Sequence, residues 1–416
     1  MKEKNFYQIL KERGFVEQVT NEKEVKKLFE KEKVTFYIGF DPTAPSLHIG
    51  HLLSLMTMAW AQKFGHLPIF LAGGGTGLIG DPSGKDKARP LMSFQTIKKN
   101  ISLIKKQVSK ILDFSQNQAL LLNNADWLVK LNYIEFLRDF GVHFRVNRML
   151  SHEGIKARLE KGLSFLEFNY QLLQAYDFWY QFKNYNCLVQ MGGSDQWGNI
   201  VAGIELIKKL ENKNAYGITF PLITTAEGKK MGKTEKGAIW LDKNLTSVFD
   251  YYQYWINVDD RDVKRFLFLF TFLPPEEIDK LANLKGNEIK KAKEILAFET
   301  TKIVHGEKMA REAKKSSQVL FGQKTAKREK VSLPTFFVSQ SEIKKGILLS
   351  KLLFLAQLVK SSSEGKRLII QGGAYLNRKR ITDPNFIVKE EDFENSEILL
   401  RAGKKRYCLV KIEQKQ

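Results

Sequence analysis

The sequence predicts an α/β fold in which a parallel sheet with crossover helices fills the first half of the chain. Three observations predict it. Short runs rich in β-branched and aromatic residues recur at 34–40, 68–72 and 188–191. Each run gives way to a turn-rich or glycine-rich loop. Helical apolar spacing then follows, as at 48–64. Strand, loop and helix in that order build a parallel sheet covered by helices.

Residues 1–33 read as charged helix with a break at Gly14. The strand 34–40 leads into the turn-rich loop 41–46 and a helix from His48 to about Phe64. A second strand, 68–72, precedes a glycine-rich loop. Helical patterns resume over 93–112 and 127–140, and the strand 188–191 ends at Gly192-Gly193. After about Leu241 the pattern changes, and 246–315 reads as mostly helical without glycine loops. A polar, Lys-rich stretch, 322–346, reads as a linker. Residues 347–416 read as a small α+β module with strand-like pieces at 367–370, 375–377 and 407–410. The expected organisation is a sheet domain over 1–241, a helical domain over 242–325, a linker over 326–346 and a terminal module over 347–416.

Composition excludes several classes. The chain has 416 residues, 43% of them hydrophobic and 12% aromatic, which is enough for packed cores and unlike a disordered chain. No window approaches 18 uninterrupted apolar residues, which excludes a membrane-spanning helix. The start lacks the apolar core of a secretory signal. Two widely separated cysteines, Cys187 and Cys408, cannot form a disulfide framework or a cysteine-rich zinc site, so a cytoplasmic location is expected. The net charge is +21. Residues 281–416 hold 29 basic and 15 acidic residues, against 38 and 31 in residues 1–280. That asymmetry suits a polyanion, most simply nucleic acid, although solvated lysine surfaces explain the total equally well.

Two glycine motifs carry little. Gly75-Thr-Gly77-Leu-Ile-Gly80 has dinucleotide-loop spacing, but Asp81-Pro82-Ser83-Gly84 intervenes where a helix should begin. Gly80 to Asp86 has too few spacers for a P-loop, and Asp86 stands where Ser or Thr would hold magnesium. Two other motifs carry more. His48-Ile-Gly-His51 opens a helix with two imidazoles on its first turn. Gly50 leaves room for a ligand near unpaired N–H groups and partial positive charge. A two-histidine metal site would want further ligands and usually i,i+4 spacing. Lys230 and Lys233, in a loop with Gly228 and Gly232, are spaced to offer two ammonium groups to phosphate oxygens. Alone, that loop would read as a basic surface turn.

Together His48-Ile-Gly-His51 and Lys230-Met-Gly-Lys233-Thr234 resemble the HIGH and KMSKS signatures of class I aminoacyl-tRNA synthetases. YIGFDPTAPSLHIGH (37–51), GDPSGKDKAR (80–89), YQLLQAYD (170–177) and GGSDQWGN (192–199) are similar to bacterial tyrosyl-tRNA synthetases. KRLIIQGGAYLNRKRITDP (366–384) resembles, more loosely, an S4-type RNA-binding domain. Gly232 and Thr234 stand where the consensus has serines, a variant the family permits. The resemblance implies a Rossmann-like catalytic domain, a helical anticodon-side domain and an S4-like module.

It also implies roles. Tyr37 and Asp177 would offer a donor and an acceptor to a substrate phenol, and phenylalanine would leave them unpaired. Asp81, Tyr170 and Gln174 would hold the substrate ammonium, with Gln196 nearby. Tyr170, Gln174 and Asp177 share one helix face by spacing. Gly39, Asp41, Gly50, Gly193 and Asp195 would border the adenosine. Thr43, His48, His51, Lys85, Arg89, Lys230, Lys233 and Thr234 would grip the triphosphate. Lys366, Arg367, Arg378, Lys379 and Arg380 form the local basic cluster for RNA. The implied partners are L-tyrosine, ATP with Mg2+, tRNA(Tyr) and a second copy of the chain, with no tightly bound cofactor, no protein metal site and no membrane. Three alternatives remain at this stage: a tryptophanyl-tRNA synthetase, an RNA-binding scaffold without catalysis, and a small nucleotidyltransferase.

Overall fold

A computed structural model describes residues 4–83, 91–151, 153–234, 237–321, 334–377, 379–403 and 406–413. The chain divides into two units, Met1–Ala310 and Arg311–Gln416. Among the described residues no helix is long and apolar enough to cross a membrane.

The first unit is built on a six-stranded sheet: β1 (Gln18–Val19), β2 (Thr35–Phe40), β3 (Leu67–Ala72), β4 (Leu120–Asn123), β5 (Cys187–Gly193) and β6 (Tyr216–Phe220). Their order is β1-β6-β5-β2-β3-β4, and only β1 runs antiparallel to its neighbour. The strands predicted at 34–40, 68–72 and 188–191 are therefore present. Their apolar runs reflect burial on both faces: Phe36, Tyr37, Ile38, Ile69, Phe70, Val189 and Met191 are all buried. The chain winds outward from β2 through β3 to β4, then resumes at β5 on the other side of β2 and continues to β6. The winding reverses between β2 and β5, and the crevice at their carboxyl ends is where such sheets bind ligands.

The helices expected over 48–64 and 93–112 are Ile49–Lys63 and Phe94–Val108, whereas the one expected over 127–140 is broken into Ala125–Leu128 and Tyr133–Asp139, with Asn132 capping the second; Phe165–Tyr185 and Trp197–Glu211 complete the helices around the sheet. Gly14 has φ +81° and ends the first helical stretch, as its position suggested. Beyond Leu241 the chain is helical to Phe321, through Val248–Ile256, Val263–Phe270, Pro275–Ala282 and Ile289–His305. Arg13 ties the N-terminal segment to this helical stretch. Its buried guanidinium donates to the carbonyls of Phe268 (2.9 Å), Thr271 (2.7 Å) and Leu273 (3.0 Å), at the C-terminal end of the Val263–Phe270 helix. It also lies 4.6 Å over the ring of Trp60.

The second unit contains a five-stranded sheet ordered β12-β11-β14-β15-β9. Its strands are β9 (Thr335–Val338), β11 (Ala374–Leu376), β12 (Lys379–Ile381), β14 (Glu397–Ala402) and β15 (Arg406–Ile412). The short pair β10 (Ile347–Leu348) and β13 (Ile387–Val388) stands apart. One sheet face joins the core with Ile398, Leu400, Ala402, Cys408 and Val410. Two sequence expectations change here. Residues 367–370, read as a strand, belong to the helix Ser362–Ile370. Ser361 caps it by accepting from the Glu364 N–H, and Gly365 and Ile369, four apart, face inward, so a helical period hid inside a short apolar run. Within 326–346, read as linker, lie β9 and the helix Gln340–Lys345, whose Val338 and Ile343 enter the core. Their apolar residues were too few to outweigh the surrounding lysines.

Arg13→Ala is expected to destabilise the protein by about 3 kcal/mol, because three carbonyls lose a charged donor in a buried setting. Urea unfolding monitored by circular dichroism would check this, and an unchanged midpoint would refute it.

Candidate active site

The carboxyl ends of β2 and β5 open into a cleft of about 570 Å3. Its floor is polar and buried. Asp177, on the Phe165–Tyr185 helix, is 2% exposed. It accepts from Nδ2 of Asn124 (2.8 Å) and Nε1 of Trp127 (2.7 Å). Burial pushes its carboxyl up to about 7, against the pull of those two donors. Tyr37, on β2, is equally buried, and its hydroxyl has no hydrogen-bond partner among the described residues. Burial and then the Asp177 charge hold that phenol well above its ordinary range.

A second set of bonds frames the middle of the cleft. Tyr170 donates to Oδ2 of Asp41 (3.0 Å), and Thr76 donates to Oδ1 (2.8 Å). Asp81 accepts from Nε2 of Gln196 (2.7 Å) and from the Ser83 N–H (2.9 Å). Asn199 donates to Oε1 of Gln174 (2.9 Å) and Oε1 of Gln196 (3.2 Å). Tyr170, Gln174 and Asp177 do share one helix face, and all three line the cleft.

The other end of the cleft is made by the Ile49–Lys63 helix. His48 is its N-cap, accepting at Nδ1 from the Gly50 N–H (3.0 Å), while Nδ1 of His51 accepts from the His48 N–H (3.2 Å). With both Nδ1 atoms accepting, each neutral ring carries its proton on Nε2, and the rings lie 4.0 Å apart. A Cβ at Gly50 would come within 2.7 Å of the His48 ring, so glycine is required for this cap. His66, the third histidine nearby, is instead a core residue: it accepts from the Val34 N–H, and burial lowers it to about 4.

The lysine loop is stitched to this helix by backbone. The Ile49 N–H donates to the Ile239 carbonyl and the Leu241 N–H to the Leu47 carbonyl. Between them Lys233–Thr234 pairs with Gly237–Ala238 as the hairpin β7–β8. Gly232, at φ +91°, sits where a Cβ would press within 3.3 Å of Gly50 and the His48 ring.

Thus Tyr37, Gly39, Asp41, Thr43, His48, Gly50, His51, Asp81, Tyr170, Gln174, Asp177, Gly193, Asp195, Gln196 and Lys230 all line one cleft. Lys233 and Thr234 are placed by their backbone. Lys85, Arg89 and Arg378 lie outside the described residues. In the second unit Lys366, Arg367, Lys379 and Arg380 are all exposed, and Arg380 also donates from Nε to the Gly372 carbonyl (2.7 Å), just past the Ser362–Ile370 helix. Sequence reasoning missed Asn124 and Trp127, which hold Asp177, as well as Thr76 and Asn199. Asn124 follows β4 directly, and a polar pair Asn123-Asn124 at a strand's carboxyl end was the available signal. A separate hollow of about 750 Å3, bordered by His143, Arg145, Arg148 and Lys209, brings none of the predicted residues together.

Comparison with known proteins agrees with this geometry. A family model described as tRNA synthetases class I (W and Y) matches residues 30–322. The chain belongs to that family. A second model, the tyrosine–tRNA ligase SYY-like C-terminal domain, matches residues 327–410. A tyrosine–tRNA ligase of Clostridium botulinum (strain Hall) is 52% identical over 409 residues, covering 98% of this chain and 100% of that protein. One from Caldanaerobacter subterraneus subsp. tengcongensis is 54% identical over 400 residues, covering 96% and 97%. Among solved structures, a C-terminally truncated mitochondrial tyrosyl-tRNA synthetase of Aspergillus nidulans superposes with TM-score 0.69 at 34% identity, over 77% of this chain and 95% of that one. The Archaeoglobus fulgidus tyrosyl-tRNA synthetase, at 16% identity and TM-score 0.57 over 74% of this chain and 100% of that one, shares the fold. In this class I synthetase the HIGH and KMSKS-like segments are His48–His51 and Lys230–Thr234.

Trp127→Phe removes one donor from the buried carboxylate. It is expected to raise the Asp177 titration midpoint by about one unit. Difference infrared spectroscopy of the carboxyl band against pH would measure it, and an unmoved band would refute it.

Proposed function

We propose that the chain joins L-tyrosine to ATP, forming tyrosyl-adenylate and pyrophosphate, and then passes the tyrosyl group to the 3′ end of tRNA(Tyr). The observation that carries the reading is the cleft floor. A buried hydroxyl without a partner, on Tyr37, stands within the field of a buried carboxylate, on Asp177. A substrate phenol accepts from the first and donates to the second. Phenylalanine would leave the Tyr37 hydroxyl unpaired and give the Asp177 carboxylate no donor beyond Asn124 and Trp127, and tyrosyl-tRNA synthetases are themselves the standard illustration of that rejection.

The substrate ammonium then meets Asp81, the Tyr170 oxygen and Gln174. Tyr170 already donates to Asp41, so its lone pair remains for an incoming N–H. The substrate carboxylate is the nucleophile on the α-phosphorus and needs no base. As the P–O bond to pyrophosphate breaks, negative charge grows on the leaving group. The helix N-terminus, the Nε2–H groups of His48 and His51, and Lys230 oppose that charge, joined by Thr43 and, by resemblance, Lys85, Arg89, Lys233 and Thr234. Gly39, Asp41, Gly193 and Asp195 border the adenosine. ATP brings Mg2+ on its own phosphates.

The SYY-like match and charge support a tRNA role for the second unit: residues 311–416 hold 23 basic and 11 acidic residues. Lys366, Arg367, Arg378, Lys379 and Arg380 are its proposed phosphate contacts. A homodimer is supported by exposed apolar residues on the helical segments between β4 and β5, among them Tyr133, Ile134, Val142, Val146 and Phe165. Free thiols at Cys187 and Cys408 suit the reducing cytoplasm.

ATP–pyrophosphate exchange with a panel of amino acids tests the reading. Tyrosine alone should stimulate it, and stimulation by tryptophan or by none would overturn it. Tyr37→Phe should weaken tyrosine and narrow its advantage over phenylalanine. The phenol needs an ionised acceptor. The kcat/KM for tyrosine should therefore rise with pH through about 7, as the free enzyme's Asp177 loses its proton, and Asp177→Asn should flatten that rise. Removal of 327–416 should spare exchange and impair charging of tRNA; unimpaired charging would remove the second unit from the account.

A further inference from the structure

The loop that carries Lys230 leaves β6 and turns back on itself. The Thr225 N–H donates to the Lys229 carbonyl, the Gly228 N–H to the Thr225 carbonyl, and the Met231 N–H to the Ile223 carbonyl, each at 2.8 Å. These bonds fix the shape of the turn but not its tilt, and residues 227–230 are exposed. One end is held against the histidine helix through Gly232. The other end is gripped by residues that follow in the chain, on the helical stretch. Asp262, 3% exposed, accepts at Oδ2 from the Ala226 N–H (2.8 Å). Its Oδ1 accepts from Nη2 of Arg265 (2.7 Å), and that same Nη2 donates to the Thr224 carbonyl. The hydroxyl of nearby Tyr254 shares a hydrogen bond with the Gly232 backbone.

None of these three side chains lines the cleft. Their contacts are instead with Thr224, Ala226 and Gly232, points on either side of Lys230. The buried member of the set is the carboxylate, and Arg265, roughly half exposed, completes its second oxygen. We propose that Asp262, oriented by Arg265, is a positioning residue: it fixes the tilt of the 223–232 loop so that Lys230 faces the phosphate end of the cleft. This inference rests on the adenylate-forming reading. A lysine opposing charge on a leaving pyrophosphate must be placed to within a fraction of an ångström, and displacement by about 1 Å is costly.

The test uses the full-length chain, tyrosine-dependent exchange and equilibrium tyrosine binding. Asp262→Ala should lower kcat/KM for ATP by about tenfold, with tyrosine affinity within about twofold of wild type. Asp262→Asn keeps an acceptor for the Ala226 N–H and should recover most of the loss. In a Lys230→Ala background, Asp262→Ala should cost less than about a further twofold, because its effect passes through that lysine. An equal factor in both backgrounds, unchanged exchange, or a matching loss of tyrosine affinity would overturn the proposal. If Asp262→Ala loses its cooperative thermal transition, Arg265→Met takes its place in the same cycle with the same criteria. Absence of tyrosine-dependent exchange in the wild-type chain would instead sink the underlying reading.

Discussion

The cleft depends on one buried carboxylate. Asp177 lies beneath the sheet's switch point, and an ionised oxygen there is tolerated only with donors at hand. Asn124 and Trp127 supply them, so the end of β4 must sit against the Phe165–Tyr185 helix. Asn124 in turn accepts from the Gly75 N–H and donates to Thr76, Thr76 donates to Asp41, and Tyr170 meets Asp41 from the other side. A single chain of hydrogen bonds thus joins the ends of β2, β3 and β4 to the helix opposite. Beside it the Tyr37 hydroxyl, like Oε1 of the neighbouring Gln190, is buried without a partner among the described residues, which makes the floor a preformed receptor for a polar ring substituent.

The opposite end relies on backbone more than on side chains. His48 and His51 use their Nδ1 atoms on the helix start, and both rings line the cleft. The strand-like bonds from Leu47 and Ile49 to Leu241 and Ile239 bring the lysine hairpin against that same first turn. Glycine at 50 and 232 allows this approach, since a Cβ at 50 would strike the His48 ring and the φ of +91° at 232 is one that other residues rarely adopt. The two signature segments, some 180 residues apart in sequence, form one surface because two short backbone ladders close on each other.

Much of this was legible beforehand. The strands 34–40, 68–72 and 188–191 announced themselves because burial on both faces demands continuous apolar runs. The histidine helix was marked by its turn-rich approach and the lysine loop by its glycines. The end of the helix Ser362–Ile370 was misread because three apolar residues, Leu368 to Ile370, carry no clear period, and β9 with its neighbouring helix was hidden by lysines. Asn124 and Trp127 were missed because each is unremarkable alone, and their meaning lies in sharing one carboxylate.

The sequence by itself determined the residue types, the element order and the two motif segments, because periodicity and local backbone preference act over a few residues. It also determined the excess of positive charge in the last third. Tertiary structure alone decided which polar groups are buried together, which of them keep an unmet hydrogen bond, and which distant residues steady the lysine loop. Those are properties of hydrogen-bond satisfaction and desolvation across strands and helices, and no spacing along the chain encodes them.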